Sequence, residues 1–150
     1  MLDDLNLHLH TLVARLDRAA DRILRAELGV SYRRFLTLFM IRELGATTQR
    51  ALAERLHVSE PAISRMTTVL GDAGLLRAER DPGGGNRRRL RVTPAGDKLV
   101  DQGRDLLEAR FRALLEASGI PGTTYARHTK RLLETLDAGE REKAPRGAHG

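Results

Sequence analysis

The chain has 150 residues, 31% of them charged and 3% aromatic, so its apolar content is mostly Leu, Ala, Val and Ile, which suits one modest helical core better than a β-sandwich. The absence of cysteine excludes disulfides, thiolate metal sites and thiol-based redox sensing, and it fits a reducing compartment. A formal net charge of +6 favours a polyanionic partner without identifying one.

Leu2, Leu9, Leu16 and Ile23 recur every seven residues, with Leu5, Leu12 and Ala19 between them; this pattern predicts one long helix carrying a sustained apolar seam. Gly29 ends it, because glycine takes the left-handed conformation without Cβ strain. Ser31 caps a second helix, in which Phe35, Leu38, Phe39 and Leu44 supply an apolar stripe before Gly45. Thr48–Leu56 reads as a short helix with Ala51, Leu52 and Leu56 inward. His57 and Val58 then turn the chain, and Ser59 caps a longer helix that buries Ile63, Met66, Val69 or Leu70, and Ala73. Pro61 falls in its first turn, where a missing N–H costs nothing, and Gly74 ends it.

After Gly74 the period changes. Leu75 to Glu79 and Arg88 to Thr93 read as two strands, with Leu90 and Val92 on one face and Arg89 and Arg91 on the other. They are joined by the flexible tip Asp81-Pro82-Gly83-Gly84-Gly85-Asn86. Thr93 and Pro94 cap and start a further helix, whose Val100, Gly103, Leu107 and Leu114 again have a/d spacing. Gly119-Ile120-Pro121-Gly122 breaks it, and a last helix carries Tyr125, Leu132, Leu133 and Leu136. Residues 139–150, polar and rich in glycine and charge, are predicted to be disordered. No apolar run approaches the ~18 residues of a membrane span, and Met1–Leu12 carries acids in place of a basic leader, so a soluble, cytoplasmic protein with no membrane partner is expected.

The order helix, helix, helix-turn-helix, hairpin, helix, helix places one motif at the centre. A DNA-reading helix-turn-helix needs a positioning helix, a tight turn and a second helix whose outward N-terminal half is small and polar enough to enter the major groove. Thr48–Gly74 meets each condition: with Ile63, Met66 and Leu70 inward, the other face presents Glu60, Pro61, Ser64, Arg65 and Thr68. The same pattern also describes a buried helix pair with a solvated polar face. Charge placement separates the two readings, because Gly45–Thr93 holds nine arginines against five acids, most of the excess of the whole chain. The run Asn86-Arg87-Arg88-Arg89 sets a cationic cluster on a flexible extension able to reach an adjacent minor groove. An ordinary solvated charge run is the alternative.

Leu52-Ala53-x-x-Leu56-x-Val58-Ser59, then Ile63-Ser64-Arg65 with Leu70 and Gly74-Leu75-Leu76, then Arg80-Asp81-Pro82, Asn86-x-Arg88 and Val92-Thr93-x-x-Gly96 together resemble the MarR family of winged-helix regulators over most of Gly45–Leu107. The resemblance implies a mainly α winged helix-turn-helix with a two-stranded wing. It implies a core at residues 45–93, dimerisation helices at 2–28 and 94–138, and one domain over 1–138. It also implies a homodimer on a pseudo-palindromic double-stranded operator, commonly released by a small ligand. Arg88 matches the wing arginine of the family. Asn86 stands where the family usually has aspartate; an amide offers that arginine only a neutral hydrogen bond, weaker than a charge-assisted one.

The resemblance extends the candidate DNA-binding set to Thr48, Ser59, Glu60, Pro61, Ser64, Arg65, Thr68, Asn86, Arg87, Arg88 and Arg89. In relatives of this kind a cleft between dimerisation and DNA-binding regions takes phenolic or other small amphipathic compounds, for which His10, Arg15, Tyr32, Phe35 and Phe111 are the candidates here; simple core filling is the alternative for the aromatics. Three glycines beside basic residues do not make a phosphate loop, since no G-x-x-x-x-G-K-[ST] pattern follows. His8 and His10 are spaced to face apart on a helix, and no nucleophile elbow or triad is visible, so no metal, cofactor or catalysis is predicted. The expected function is a homodimeric, sequence-specific transcriptional regulator, a repressor released by a small ligand. The alternatives are a ligand-independent architectural DNA binder and a winged-helix protein-interaction module.

Overall fold

The computed structural model describes residues 3–45, 47–80, 83 and 88–143. Two compact units emerge, Met1–Leu107 and Glu108–Gly150. In the first, α1 (Leu5–Leu28) ends at Gly29, which takes φ 66° and donates its N–H back to the Arg25 carbonyl at 3.2 Å. Ser31 Oγ accepts from the Arg34 N–H at 3.2 Å and opens α2 (Tyr32–Leu44), satisfying a donor that the helix itself cannot. A long-range bond fixes the corner: Asp21 Oδ1 on α1 accepts from the Tyr32 N–H at 2.9 Å while Oδ2 accepts from Arg25 Nε at 2.7 Å. The Arg25 hydrogen bond, then the Tyr32 N–H, holds the Asp21 carboxyl below its ordinary pKa.

Helices α3 (Gln49–Leu56) and α4 (Glu60–Asp72) follow, then strands β1 (Leu76–Arg80) and β2 (Arg88–Val92), then α5 (Pro94–Ser118). Leu24, Leu38, Ile41, Leu52, Ile63, Leu70 and Val100 are fully buried and bring α1, α2, α3, α4 and α5 to one core. Of the two alternatives on α4, Leu70 is the buried one and Val69 is exposed. Ala51 and Ala73, both predicted inward, are exposed, and Ala53 is buried beside Leu52. Gly103 lies where α5 crosses the Phe35 ring: a Cβ there would stand 2.5 Å from Phe35 Cε2 and 3.3 Å from Leu24 Cδ2, so the crossing is as close as backbone allows.

The strands pair antiparallel in a register that sets Leu76 opposite Val92, Arg77 opposite Arg91 and Glu79 opposite Arg89. The first strand begins one residue later than the sequence predicts. The Leu75 N–H is taken by the Leu70 carbonyl at 3.0 Å, closing the end of α4, and this leaves Leu75 outside the ladder. Thr47 forms a bridge to Leu90, with N–H···O distances of 3.2 and 2.6 Å, which ties the base of the hairpin to the start of the helix-turn-helix. Thr93 Oγ1 caps α5 by accepting from the Gly96 N–H at 3.2 Å.

In the second unit the end of α5 is followed by α6 (Gly122–Lys143). The Phe111 and Tyr125 rings meet at 6.3 Å, and the Ile120 N–H closes the turn on the Leu115 carbonyl at 3.1 Å. No residue of α6 is buried. Disorder was expected from Gly139, yet α6 runs through it to Lys143. Glu140, Arg141, Glu142 and Lys143 are good helix formers, and Arg141 and Lys143 complement the dipole of the last turn; the remainder of that stretch, 144–150, lies outside the described residues. Among the described residues no helix is long and apolar enough to cross a membrane.

Candidate nucleic-acid interface

The two helices of the motif are started by hydroxyl caps and joined by one strained residue. Thr48 Oγ1 accepts from the Ala51 N–H at 3.2 Å and Ser59 Oγ from the Ala62 N–H at 3.3 Å. Thr48 and Ser59 therefore act first as caps, and each keeps an O–H to donate. His57 takes the left-handed conformation, φ 54°, and the Val58 N–H returns to the Ala53 carbonyl at 3.1 Å. The chain reverses here without glycine.

Along α4 the inward residues are Ile63, Thr67 and Leu70. Glu60, Pro61, Ser64, Arg65 and Thr68 are all exposed on the remaining face, so the structure brings these five predicted residues onto one surface. Thr68 donates its hydroxyl proton to the Ser64 carbonyl at 2.9 Å, which leaves its oxygen free to act as an acceptor. Two residues absent from the sequence-based set position this helix. Gln49 Nε2 on α3 donates to Thr67 Oγ1 at 3.2 Å, and Thr67 donates to the Ser64 carbonyl at 3.1 Å. Thr67 follows Ile63 by four residues and precedes Leu70 by three, so the helical period itself marks it as inward.

On the wing, Leu90 is buried and Arg89 and Arg91 are exposed, as the alternation predicts. Arg80 and Arg88 face each other at the outer end of the ladder, both exposed. Nearer its base, the Glu79 carboxylate spans two cations: Oε1 lies 3.0 Å from Arg77 Nε and Oε2 lies 3.1 Å from Arg91 Nε. Sequence alone gave no sign of this arrangement, because it depends on the cross-strand register. Asn86 and Arg87 lie outside the described residues.

The candidate ligand residues fall into three settings. Tyr32 is half-buried, and burial, followed by the charge of Asp17, raises its hydroxyl pKa. Its ring stacks on Phe35 at 6.5 Å, and Phe35 stacks on Phe39 at 6.4 Å, so Tyr32 and Phe35 are brought together in an aromatic row along α2. Phe35 is only 5% exposed and belongs to the core. His10 and Arg15 are exposed on α1, and Phe111 lies in the second unit against Tyr125. A separate surface depression is lined by Leu44, Thr47, Ala51, Glu54 and Arg55, none of them in the candidate ligand set.

Residues 30–90 match the sequence profile of the MarR family; among curated proteins, none matches the chain by sequence. Of solved structures, the chain is similar to the transcriptional regulator BldR from Sulfolobus solfataricus, with a TM-score of 0.70 and 22% identity over 95% of this chain and 99% of that one. It is similar to NadR in complex with 4-hydroxyphenylacetate, with a TM-score of 0.72 and 22% identity over 88% and 91% of the two chains. A mutant of MarR from E. coli complexed with operator DNA is similar at a TM-score of 0.67, with 21% identity over 91% of this chain and 99% of that one. The matched segment runs from just before α2 into the wing, so this part of the chain carries a MarR-family pattern, and the chain shares the winged-helix fold of these solved structures.

Proposed function

We propose that the protein is a homodimeric regulator that reads a pseudo-palindromic double-stranded operator, with half-sites about one helical turn apart. Each half-site takes one α4 in the major groove and one wing in the adjacent minor groove. The observation that carries this reading is the pairing of the Glu60, Pro61, Ser64, Arg65 and Thr68 surface with exposed Arg80 and Arg88 on the hairpin, whose guanidinium groups have no ion-pair partner among the described residues. Ser64 and Thr68 would touch base edges, Thr48, Ser59 and Arg65 phosphates, and Arg88 with Arg87 and Arg89 the minor groove. The structure in complex with operator DNA among the similar folds supports it.

Dimerisation would use the exposed apolar faces of α1, α5 and α6, where Leu5, Leu9, Leu114, Leu132 and Leu136 are exposed among the described residues. The proposed regulator acts as a repressor in the cytoplasm, and a small amphipathic or phenolic effector releases it from DNA. For the effector site we favour the half-buried edge of Tyr32, with His10, Arg15 and Phe35 as the other candidate residues of the same unit. The bound 4-hydroxyphenylacetate of NadR supports that ligand chemistry.

Arg88→Ala is expected to weaken operator binding and to flatten its salt dependence by roughly one unit of log–log slope. Ser64→Ala or Thr68→Ala should change sequence preference by about 1–3 kcal/mol. Titration of each variant against selected and mixed-sequence duplexes checks both; unchanged affinity for all three would refute the docking geometry.

A further inference from the structure

One face of the wing carries Arg77, Glu79, Arg89 and Arg91, which alternate with buried Leu76 and Leu90, half-buried Val92 and exposed Ala78 in the observed register. Arg77 and Arg91 stand directly opposite each other, an arrangement of like charges that is unfavourable by itself. Glu79 answers it with one carboxylate oxygen for each guanidinium, at 3.0 and 3.1 Å. The two side chains remain 59% and 50% exposed, so solvent-facing N–H donors are left on both, but their charge is shared with a single anion. Arg80 and Arg88, three pairs nearer the tip than Arg77 and Arg91, have no such partner among the described residues.

From this contrast, and resting on the DNA-binding function proposed above, we infer that Glu79 is a positioning and specificity residue: it clamps Arg77 and Arg91 on the wing and restrains sequence-independent attraction to DNA phosphates. Sequence-independent affinity grows with the number of phosphates that cations neutralise, and it is lost with salt at a slope of about −0.9 for each. A clamped pair contributes little to that count. Arg80 and Arg88, without an ion-pair partner among the described residues, then supply electrostatic attraction on the wing, and discrimination is left to α4.

The test uses the full chain and a mixed-sequence duplex about three helical turns long, with affinity measured across a salt series. Glu79→Gln preserves size and removes the charge. It should bind this duplex several-fold more tightly at low salt, with a log–log slope steeper by about one to two, and the ratio of operator to mixed-sequence affinity should fall. Adding Arg77→Gln and Arg91→Gln to it should abolish the steepening. Asp72→Asn removes one negative charge at the end of α4 and should steepen the slope less than Glu79→Gln.

An unchanged slope for Glu79→Gln overturns the inference, as does uniformly weaker binding at an unchanged slope, which would be a structural effect only. So does an equal response to Asp72→Asn, which would make net charge the cause, or persistence of the steep slope in the triple variant. Failure of the unmodified protein to bind any duplex would instead refute the DNA-binding function itself.

Discussion

Met1–Leu107 and Glu108–Gly150 are both largely helical, yet they treat their leucines in opposite ways. In the first unit Leu24, Leu38, Leu52 and Leu70 are all but fully buried. In the second, Leu132 is 61% and Leu136 63% exposed, and α6 buries nothing. A soluble chain does not ordinarily leave leucines in such a row. The difference teaches that the first core is closed within its own unit, whereas the apolar face of α6 is left uncovered among the described residues. The first half of α1, with Leu5, Leu7 and Val13 exposed, belongs with α6 in this respect even though its C-terminal half is anchored in the first core.

The largest expected effect removes the external cover. If α6 packs on a second copy, Leu132→Lys combined with Leu136→Lys should halve the mass seen by light scattering and abolish any rise of Tm with protein concentration. A mass unchanged from that of the unmodified protein would show that these leucines do not hold a dimer. Next comes the internal core: Leu38→Ala, at a fully buried site, should cost about 2–5 kcal/mol in denaturant unfolding and leave the self-association constant of the folded protein alone. Gly103→Ala follows, because its methyl group would meet the Phe35 ring at 2.5 Å. Overpacking of this kind costs about 1–3 kcal/mol; a thermal midpoint equal to that of the unmodified chain would contradict the close crossing.

The smallest effect concerns the α1–α2 corner. The folded-state pKa of Asp21 is lowered by Arg25 and then by the Tyr32 N–H. Its contribution is therefore complete above the unfolded value and is lost as the pH falls through the folded one, at pH values below about 4. Asp21→Asn should make the acid limb of the stability profile shallower, and an identical limb would show that Asp21 contributes nothing there.

Much of this arrangement was legible before any coordinates. Gly29 and Ser31 mark a helix junction through local backbone chemistry, and Ser59 with Pro61 marks the start of α4 for the same reason. The exposed α4 face follows from the 3.6-residue period alone. What escaped depends on partners distant in the chain. Thr47 meets Leu90, Gln49 meets Thr67, and Glu79 meets Arg91, and no local pattern specifies those pairings. Ala51 was misplaced because alanine fits either face of a helix, so its neighbours decide which one it takes. Gly139 looked like a stop, but one glycine costs a helix only ~1 kcal/mol, and the residues around it favour continuation.

The central claim is sequence-specific DNA recognition, and the most direct measurement is selection of the purified protein on sheared DNA from its own genome at physiological salt, followed by competition with unrelated duplex. Recovery of one or a few palindromic sites bound at least ~10³-fold above competitor is the predicted result. Uniform recovery across the genome, or no recovery with any DNA, would contradict it.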